Sequence, residues 1–211
     1  MTCQLLTASQ NVAGKTPVIG VLALQGDVRE HVAMLTALGA RVVEVRTPAQ
    51  FSNVDALVIP GGESSVIDKL SRLFDLHEPI HRRISQGMPA FGTCAGLIML
   101  ANDLADGIDG QITFGGLDVT VQRNAFGAQV DSFETEIDMP DVSAAPVKAA
   151  FIRAPIVTRV GTGVRVLGKL DDERIVAVES GNVIGISFHP EVEGETAIHK
   201  YFLERVHAHV Q

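Results

Sequence analysis

Cysteine is scarce in this chain: of its 211 residues two are cysteines, Cys3 and Cys94. One lies in a polar N-terminal stretch and the other in an apolar region, so they do not form the disulfide framework of a small secreted protein. We therefore expect a reducing, cytoplasmic environment.

Long hydrophobic runs and an excess of positive charge are missing as well. No apolar stretch approaches the roughly 20 residues that a membrane span requires, and residues 1–16 lack the features of a secretory signal. Lysine and arginine number 17 against 25 acidic residues, which gives a net charge of −8. Since no basic stripe is visible, we expect neither a membrane nor a nucleic acid as a partner.

The remaining composition is that of an ordinary globular protein, with 46% hydrophobic and 20% charged residues. The length suits one α/β domain with a sizeable core and is short for two. Residues 1–17 are mostly small and polar, and we interpret them as a flexible N-terminal extension. Residues 18–211 are predicted to form a single domain.

Apolar segments of strand and helix type alternate over the first half of the chain. Such alternation predicts a parallel sheet with helices on both faces. Strands are expected at 18–24, 41–45, 56–59 and 88–91, and helices at 28–38, 65–74 and 78–86. After residue 104 short strands dominate, at 112–123, 133–139, 149–151, 164–167, 175–179 and 183–188, before a last helix at 195–207. The predicted fold class is a three-layer α/β fold, with a mostly parallel sheet and a partly antiparallel extension.

A cysteine stands at a predicted sharp turn between a buried strand and an apolar helix, in the sequence Gly92-Thr93-Cys94-Ala95-Gly96. This pattern is typical of a nucleophile elbow, with cysteine in the place of serine. The start of a helix favours the thiolate, the reactive form of the side chain. The motif thus predicts nucleophilic attack on a carbonyl and a covalent thioester.

A cysteine nucleophile needs a base, and the base needs a group that orients it. The predicted strand at 183–188 is followed by His189-Pro190-Glu191. In extended chain, residues i and i+2 point to the same side, so Glu191 can hold one nitrogen of His189 while the other faces Cys94. Because ligand sites in parallel sheets form beyond the carboxyl ends of strands, we expect the three residues to share one pocket.

A thioester route passes through an oxyanion, which needs preorganised N–H donors. The backbone of Ala95 is one candidate, and Gly62 in the loop Pro60-Gly61-Gly62-Glu63 is the other. A merely structural glycine turn is the alternative for this loop, and a phosphate-binding P-loop is excluded because no Gly-Lys-Ser/Thr follows.

The other histidines do not suggest a metal site. We predict His31, His77 and His81 on helix surfaces and place His207 and His209 in the C-terminal tail. Nothing in the sequence indicates a cofactor.

Several segments give the chain a wider resemblance, over about residues 18–205. It resembles the class I (triad) glutamine amidotransferases, and more closely the glutaminase subunits of pyridoxal 5′-phosphate synthase. The elbow and the His-Pro-Glu segment are typical of the whole superfamily. Three segments are specific to the glutaminase subunits: Leu24-Gln25-Gly26-Asp27-Val28-Arg29-Glu30-His31, Arg123-Asn124-Ala125-Phe126-Gly127 and Phe151-Ile152-Arg153-Ala154-Pro155.

The resemblance implies a role for each matched residue. Cys94 would attack the side-chain amide of L-glutamine, with His189 as general base and acid and Glu191 orienting it. The glutamine pocket would comprise Gly62, Glu63, Ser64, Arg123, Ile152 and Arg153. The released ammonia would pass to a separate synthase subunit that builds pyridoxal 5′-phosphate, docked at loops such as 25–30 and 60–64.

Three alternatives stay open at this point. The chain could be the glutaminase subunit of another amidotransferase, such as imidazole glycerol phosphate synthase. It could be a cysteine hydrolase that acts on γ-glutamyl peptides without a partner. A non-catalytic binding subunit is the third, although such a protein would have no need for Cys94, His189 and Glu191 together.

Overall fold

The computed structural model describes residues 16–125 and 132–211. The predicted extension 1–17 therefore lies outside the described residues except for its last two positions, as does part of the segment after Arg123. The helices are α1 Val28–Ala37, α2 Pro48–Phe51, α3 Ser64–Leu73, α4 His77–Ser85, α5 Ala95–Leu100, α6 Pro190–Glu193 and α7 Ala197–Val210. The strands are β1 Val18–Leu22, β2 Arg41–Val45, β3 Ala56–Ile59, β4 Ala90–Thr93, β5 Ala101–Leu104, β6 Leu117–Gln122, β7 Ser132–Ile137, β8 Val147–Ile152, β9 Ile156–Val160, β10 Arg165–Lys169, β11 Ile175–Ser180 and β12 Val183–Ile186.

The larger sheet has the strand order β2-β1-β3-β4-β12-β11-β9-β6-β5, and β10 pairs with β11. The five strands from β2 to β12 are parallel to one another. Their carboxyl ends consequently meet at one edge, where Ile59 pairs with Gly92 and Thr93 pairs with Ile186. This edge is the place where ligand sites form in open parallel sheets.

Beyond β12 the pairing is antiparallel except at the far edge, where β5 pairs with β6 in parallel. β11 runs antiparallel to β12, β10 and β9, and β9 runs antiparallel to β6. β7 and β8 form a separate antiparallel ribbon. The predicted fold class, a mostly parallel sheet with flanking helices and a partly antiparallel extension, is confirmed.

Alternate residues of the central strands enter two hydrophobic clusters. Leu57 and Ile59 of β3 belong to the cluster that includes residues of α3, α4 and α5. Ala56 and Val58 belong to the second cluster, with residues of α1, α7 and the β7–β8 ribbon. The period of two along the strand thus places helices on both faces of the sheet and produces three layers. Within the described residues, no helix is long and apolar enough to span a membrane.

Some elements differ from the prediction. Strands β5 and β9 and the short helices α2 and α6 were not expected, and residues 112–116 lie before β6 rather than in it. β9 has β-branched residues at four of its five positions, which is a strand signal. Residues 112–116 are apolar for another reason: Phe114 is buried and its N–H donates to the carbonyl of Met99, which ties this segment to the end of α5.

Candidate active site

Cys94 lies at the turn between β4 and α5, with φ of 49° and ψ of −102°. Positive φ is rare for a residue other than glycine, and such strained positions cluster at functional sites. The flanking glycines are required by close packing. A Cβ at Gly96 would lie 2.1 Å from the carbonyl oxygen of Ile59, and one at Gly92 would lie 2.4 Å from the carbonyl carbon of Gly96. The elbow predicted from the sequence is therefore built as expected.

A cavity of about 310 Å³ opens beside Cys94 at the carboxyl edge of the sheet. His189 lines the same cavity, so the structure brings together two side chains that are far apart in the sequence. Besides Cys94, two further lining residues other than glycine have positive φ: Asn124 at 44° and Arg153 at 45°. The complete lining is Gln25, Asp27, Gly62, Glu63, Ser64, Cys94, Ile98, Arg123, Asn124, Ile152, Arg153 and His189.

His189 is held by a carboxylate behind it. Its Nδ1 lies 2.8 Å from Oε1 of Glu191, whose side chain is fully buried. The local geometry differs from the expected extended chain, because His189 is the N-cap of α6 and Glu191 lies in the first turn of that helix. The contact nevertheless forms, and it leaves Nε2 as the nitrogen available for proton transfer with Cys94.

The polar wall of the cavity consists of linked side chains. Nη2 of Arg123 donates to Oε1 of Glu63 at 2.9 Å. Gln111 was not predicted as a site residue, yet its Nε2 donates to Oγ of Ser64 at 3.1 Å and its Oε1 accepts from Nη1 of Arg123 at 3.3 Å. A guanidinium fixed in this way can bind a ligand carboxylate through charge-assisted hydrogen bonds.

Comparison with known proteins identifies the family of this chain. A family model described as the SNO glutamine amidotransferase family matches residues 21–208. The chain belongs to this family.

Curated relatives of this amidotransferase are named pyridoxal 5′-phosphate synthase subunit PdxT. The relative from Leifsonia xyli subsp. xyli (strain CTCB07) is 55% identical over 195 residues, which cover 92% of the chain and 98% of the relative. The relative from Nocardioides sp. (strain ATCC BAA-499 / JS614) is 56% identical over 194 residues, covering 90% and 96%. A crystal structure titled as a glutamine amidotransferase superposes with a TM-score of 0.84 at 42% identity, covering 90% of this chain and 98% of that one.

The electrostatics of the amidotransferase site centre on His189. Burial alone would lower the pKa of His189, but its hydrogen bonds with Asp27, Cys94 and Glu191 outweigh this and raise the pKa to about 12. Burial also raises the pKa of Glu191 above its ordinary value, although the bond to His189 acts in the opposite direction. These hydrogen bonds therefore favour the imidazolium form of His189, which can act as a proton donor in the cavity.

Eight of the residues predicted for the site line the cavity. The other two are Glu191, which lies behind His189, and Ala95, the first residue of α5, which directly follows Cys94. Sequence reasoning missed Gln25, Asp27, Ile98 and Asn124 as lining residues. For Gln25 and Asp27 a signal was present, because they lie in the segment between β1 and α1, beyond the carboxyl end of a parallel strand.

The prediction for His31 was wrong. His31 is 0% exposed, and its ring lies between α1 and α7 rather than on a helix surface. Its position three residues after Val28 and four before Leu35 places it on the apolar stripe of α1, which could have indicated burial. His81 is exposed on α4 as expected, whereas His207 and His209 lie in α7 instead of a tail.

One group of metal-binding side chains exists within the described part of the chain. Ligand atoms of Asp27, His189 and Glu191 all lie within 4.8 Å of one another. Since both carboxylates lie within 3.2 Å of Nδ1 of His189, hydrogen bonds to the imidazole account for this grouping without an ion.

Proposed function

We propose that this protein is the glutaminase subunit of a pyridoxal 5′-phosphate synthase. It would hydrolyse L-glutamine to L-glutamate and ammonia and deliver the ammonia to a synthase subunit. The observation that carries the proposal is the shared cavity of Cys94 and His189, with His189 hydrogen-bonded to Glu191 at 2.8 Å. The relatives are named as subunits of pyridoxal 5′-phosphate synthase, which favours this synthase over other acceptors of ammonia.

The chemistry proceeds in two steps. Sγ of Cys94 attacks the side-chain carbonyl carbon of glutamine, and N–H groups of Ala95 and Gly62 stabilise the oxyanion. The C–N bond then breaks, and ammonia leaves with a proton donated by Nε2 of His189. Water attacks the thioester, His189 accepts its proton, and the C–S bond breaks to release glutamate and restore Cys94.

The cavity matches the charges of the glutamine backbone. Arg123 and Arg153 can bind the α-carboxylate, and Glu63 can accept hydrogen bonds from the α-ammonium group. In the structure Glu63 instead binds Arg123 at 2.9 Å, so the two side chains satisfy each other before the zwitterion enters. Gly62, Ser64 and Ile152 complete the pocket.

The synthase subunit would act through two segments at the rim of the cavity: 25–30, which ends in the first turn of α1, and 60–64, which leads into α3. The segments are already joined, because the N–H of Asp27 donates to the carbonyl of Gly61 at 3.2 Å and the N–H of Glu63 donates to Oε1 of Gln25 at 2.7 Å. Docking that moves either segment would therefore reach Gly62, one of the two proposed oxyanion donors. We expect weak glutaminase activity for the isolated chain and a higher rate in the complex.

We further propose that residues 18–211 form one amidotransferase domain that works in the cytoplasm without a cofactor. The match to the family model over residues 21–208 supports the single domain. The free thiol of Cys94, which must stay reduced to react, supports the cytoplasm.

Glutamate release tests the function, measured for wild type and Cys94→Ala with and without the synthase subunit. We expect release that the synthase subunit increases and that Cys94→Ala abolishes. Activity that survives the substitution would contradict the nucleophile, and equal rates with and without the partner would contradict the coupling. A γ-glutamyl peptide assayed in parallel tests the partner-independent hydrolase, and capture of the partner from cell extract tests other amidotransferases.

A further inference from the structure

The catalytic imidazole contacts a second carboxylate besides Glu191. Oδ2 of Asp27 lies 3.2 Å from Nδ1 of His189, the nitrogen that also lies 2.8 Å from Glu191. The two carboxylates differ in their surroundings: the side chain of Glu191 is 0% exposed and that of Asp27 is 37% exposed. The Nδ1–H of His189 thus has two acceptors, the buried carboxylate of Glu191 and the partly exposed carboxylate of Asp27.

The position of Asp27 in the chain makes this contact informative. Asp27 is the N-cap of α1, a position where aspartate ordinarily accepts hydrogen bonds from the first N–H groups of the helix. Here its side chain makes no capping hydrogen bond. The carboxylate is turned toward His189 instead, so its usual structural role does not explain its presence.

The surrounding backbone keeps the approach of Asp27 to His189 open. The N–H of Asp27 donates to the carbonyl of Gly61 at 3.2 Å, which fixes its distance from the opposite loop. A Cβ at Gly61 would lie 2.9 Å from Oδ2 of Asp27 and 2.3 Å from Cε1 of His189. Only a residue without a side chain therefore fits beside this pair.

We propose that Asp27 is a positioning residue for the catalytic imidazole, in that it shares the Nδ1 proton of His189 with Glu191 and stabilises the imidazolium. The proposal rests on the proposed function and deepens it, since it assigns a fourth member to the Cys94–His189–Glu191 set. Asp27 acts through His189 and takes no part in bond making itself.

The charges around His189 determine what the second carboxylate contributes. The groups that face the imidazole are Cys94 from the elbow, Glu191 from α6, Asp27 from the start of α1 and His31 from the body of α1. His31 is buried, and burial lowers its pKa well below the ordinary value, so it adds no positive charge at neutral pH. Asp27 and Glu191 are the two groups that compensate an imidazolium from the side opposite to Cys94, and the hydrogen bond that Nδ1–H of His189 donates to Asp27 raises the pKa of His189.

The test follows the protonation of His189 directly, by ¹⁵N NMR of histidine-labelled protein titrated upward from neutral pH. His189→Gln assigns the signal. In Asp27→Asn, which keeps the size of the side chain and can still serve as an N-cap, we expect the His189 midpoint to fall by about one to three pH units, the effect of losing an opposite charge at this distance. Asp27→Glu keeps the negative charge, so its His189 midpoint should lie between those of Asp27→Asn and wild type. Asp75→Asn is the matched control, because it removes one exposed carboxylate outside the cavity.

A second measurement records the pH dependence of kcat in the complex with the synthase subunit. The basic limb for Asp27→Asn should lie at lower pH than that of wild type, with KM for glutamine nearly unchanged. An unchanged His189 midpoint in folded Asp27→Asn overturns the proposal, and Asp27→Ser provides a second test of the same point. The NMR titration needs no glutamine, so a wild-type complex that lacks glutaminase activity would overturn the proposed function and leave the assignment of Asp27 intact.

Discussion

Nδ1 of His31 lies 3.0 Å from Nε2 of His199, and neither ring is exposed. The other nitrogen of His31, Nε2, lies 3.1 Å from Oγ1 of Thr93 and 3.5 Å from Oε1 of Glu191. This nitrogen carries the proton, because a lone pair there would face the Glu191 carboxylate. Nε2 of His199 then donates to His31, and its Nδ1, which has no partner among the described residues, is left unprotonated. This buried pair joins α1 and α7 to Thr93, the residue that precedes Cys94.

The histidine pair predicts a loss of stability in acid. Burial lowers the pKa of His199 to about 4, whereas an unfolded histidine titrates near 6.5. Between about pH 6.5 and pH 4 the unfolded chain therefore binds more protons than the folded protein does. The free energy of unfolding decreases as the pH falls through this range. We expect a loss on the order of 3 kcal/mol from this group, measured by urea unfolding between these values. His199→Gln, which stays uncharged, should show a weaker pH dependence, and an identical dependence would contradict this account.

Replacement of Glu191 by glutamine should impair turnover without unfolding the protein. The carboxylate is buried and orients His189 through the 2.8 Å contact, and an amide can present its N–H to the same nitrogen and favour the wrong tautomer. We expect kcat for glutamate release in the complex to fall by about 10²-fold to 10⁴-fold. Glu193→Gln in the same helix α6 is the matched control and should leave kcat unchanged. A kcat for Glu191→Gln within a factor of two of wild type would be incompatible with the assigned role.

Arg123→Gln should weaken glutamine binding more than catalysis. The substitution removes a charge-assisted hydrogen bond worth about 1.5–3 kcal/mol, which corresponds to a rise in KM of roughly tenfold to a hundredfold. Steady-state kinetics in the complex with the synthase subunit measure this change. Arg159→Gln provides the control, because Arg159 pairs with Asp103 and Asp118 outside the cavity. Equal KM values for Arg123→Gln and wild type would remove Arg123 from the pocket.

Gly96→Ala should destabilise the elbow. The new methyl group would lie 2.1 Å from the carbonyl oxygen of Ile59, so α5 would have to move away from β3. Overpacking of this kind costs about 1–3 kcal/mol, which denaturant unfolding can measure. At Gly107 the nearest atom to a new methyl group is Cβ of Leu104 at 3.3 Å, and Gly107→Ala should be tolerated. If both variants unfold at the same denaturant concentration, the close approach of α5 to β3 is not the reason for Gly96.

Local sequence patterns were sufficient to predict the elements that position Cys94. The apolar strand β4, the glycines around Cys94 and the apolar helix α5 are all encoded within a dozen residues, so each could be predicted without tertiary information. The antiparallel region was harder to predict. Strand β9 carries a local signal in its β-branched residues, but its pairing with β6 and β11 depends on tertiary contacts that a short window does not contain.

The sequence by itself determined the groups on which the proposed chemistry depends: a thiol at the start of a helix, and an imidazole and a carboxylate after a later strand. The tertiary structure alone decided which polar groups share one environment. It placed Asp27 beside His189, buried His31 against His199 and joined Gln111 to Ser64 and Arg123. The physical reason is that hydrogen bonds and burial act over a few ångströms in space, and chain separation does not specify those distances.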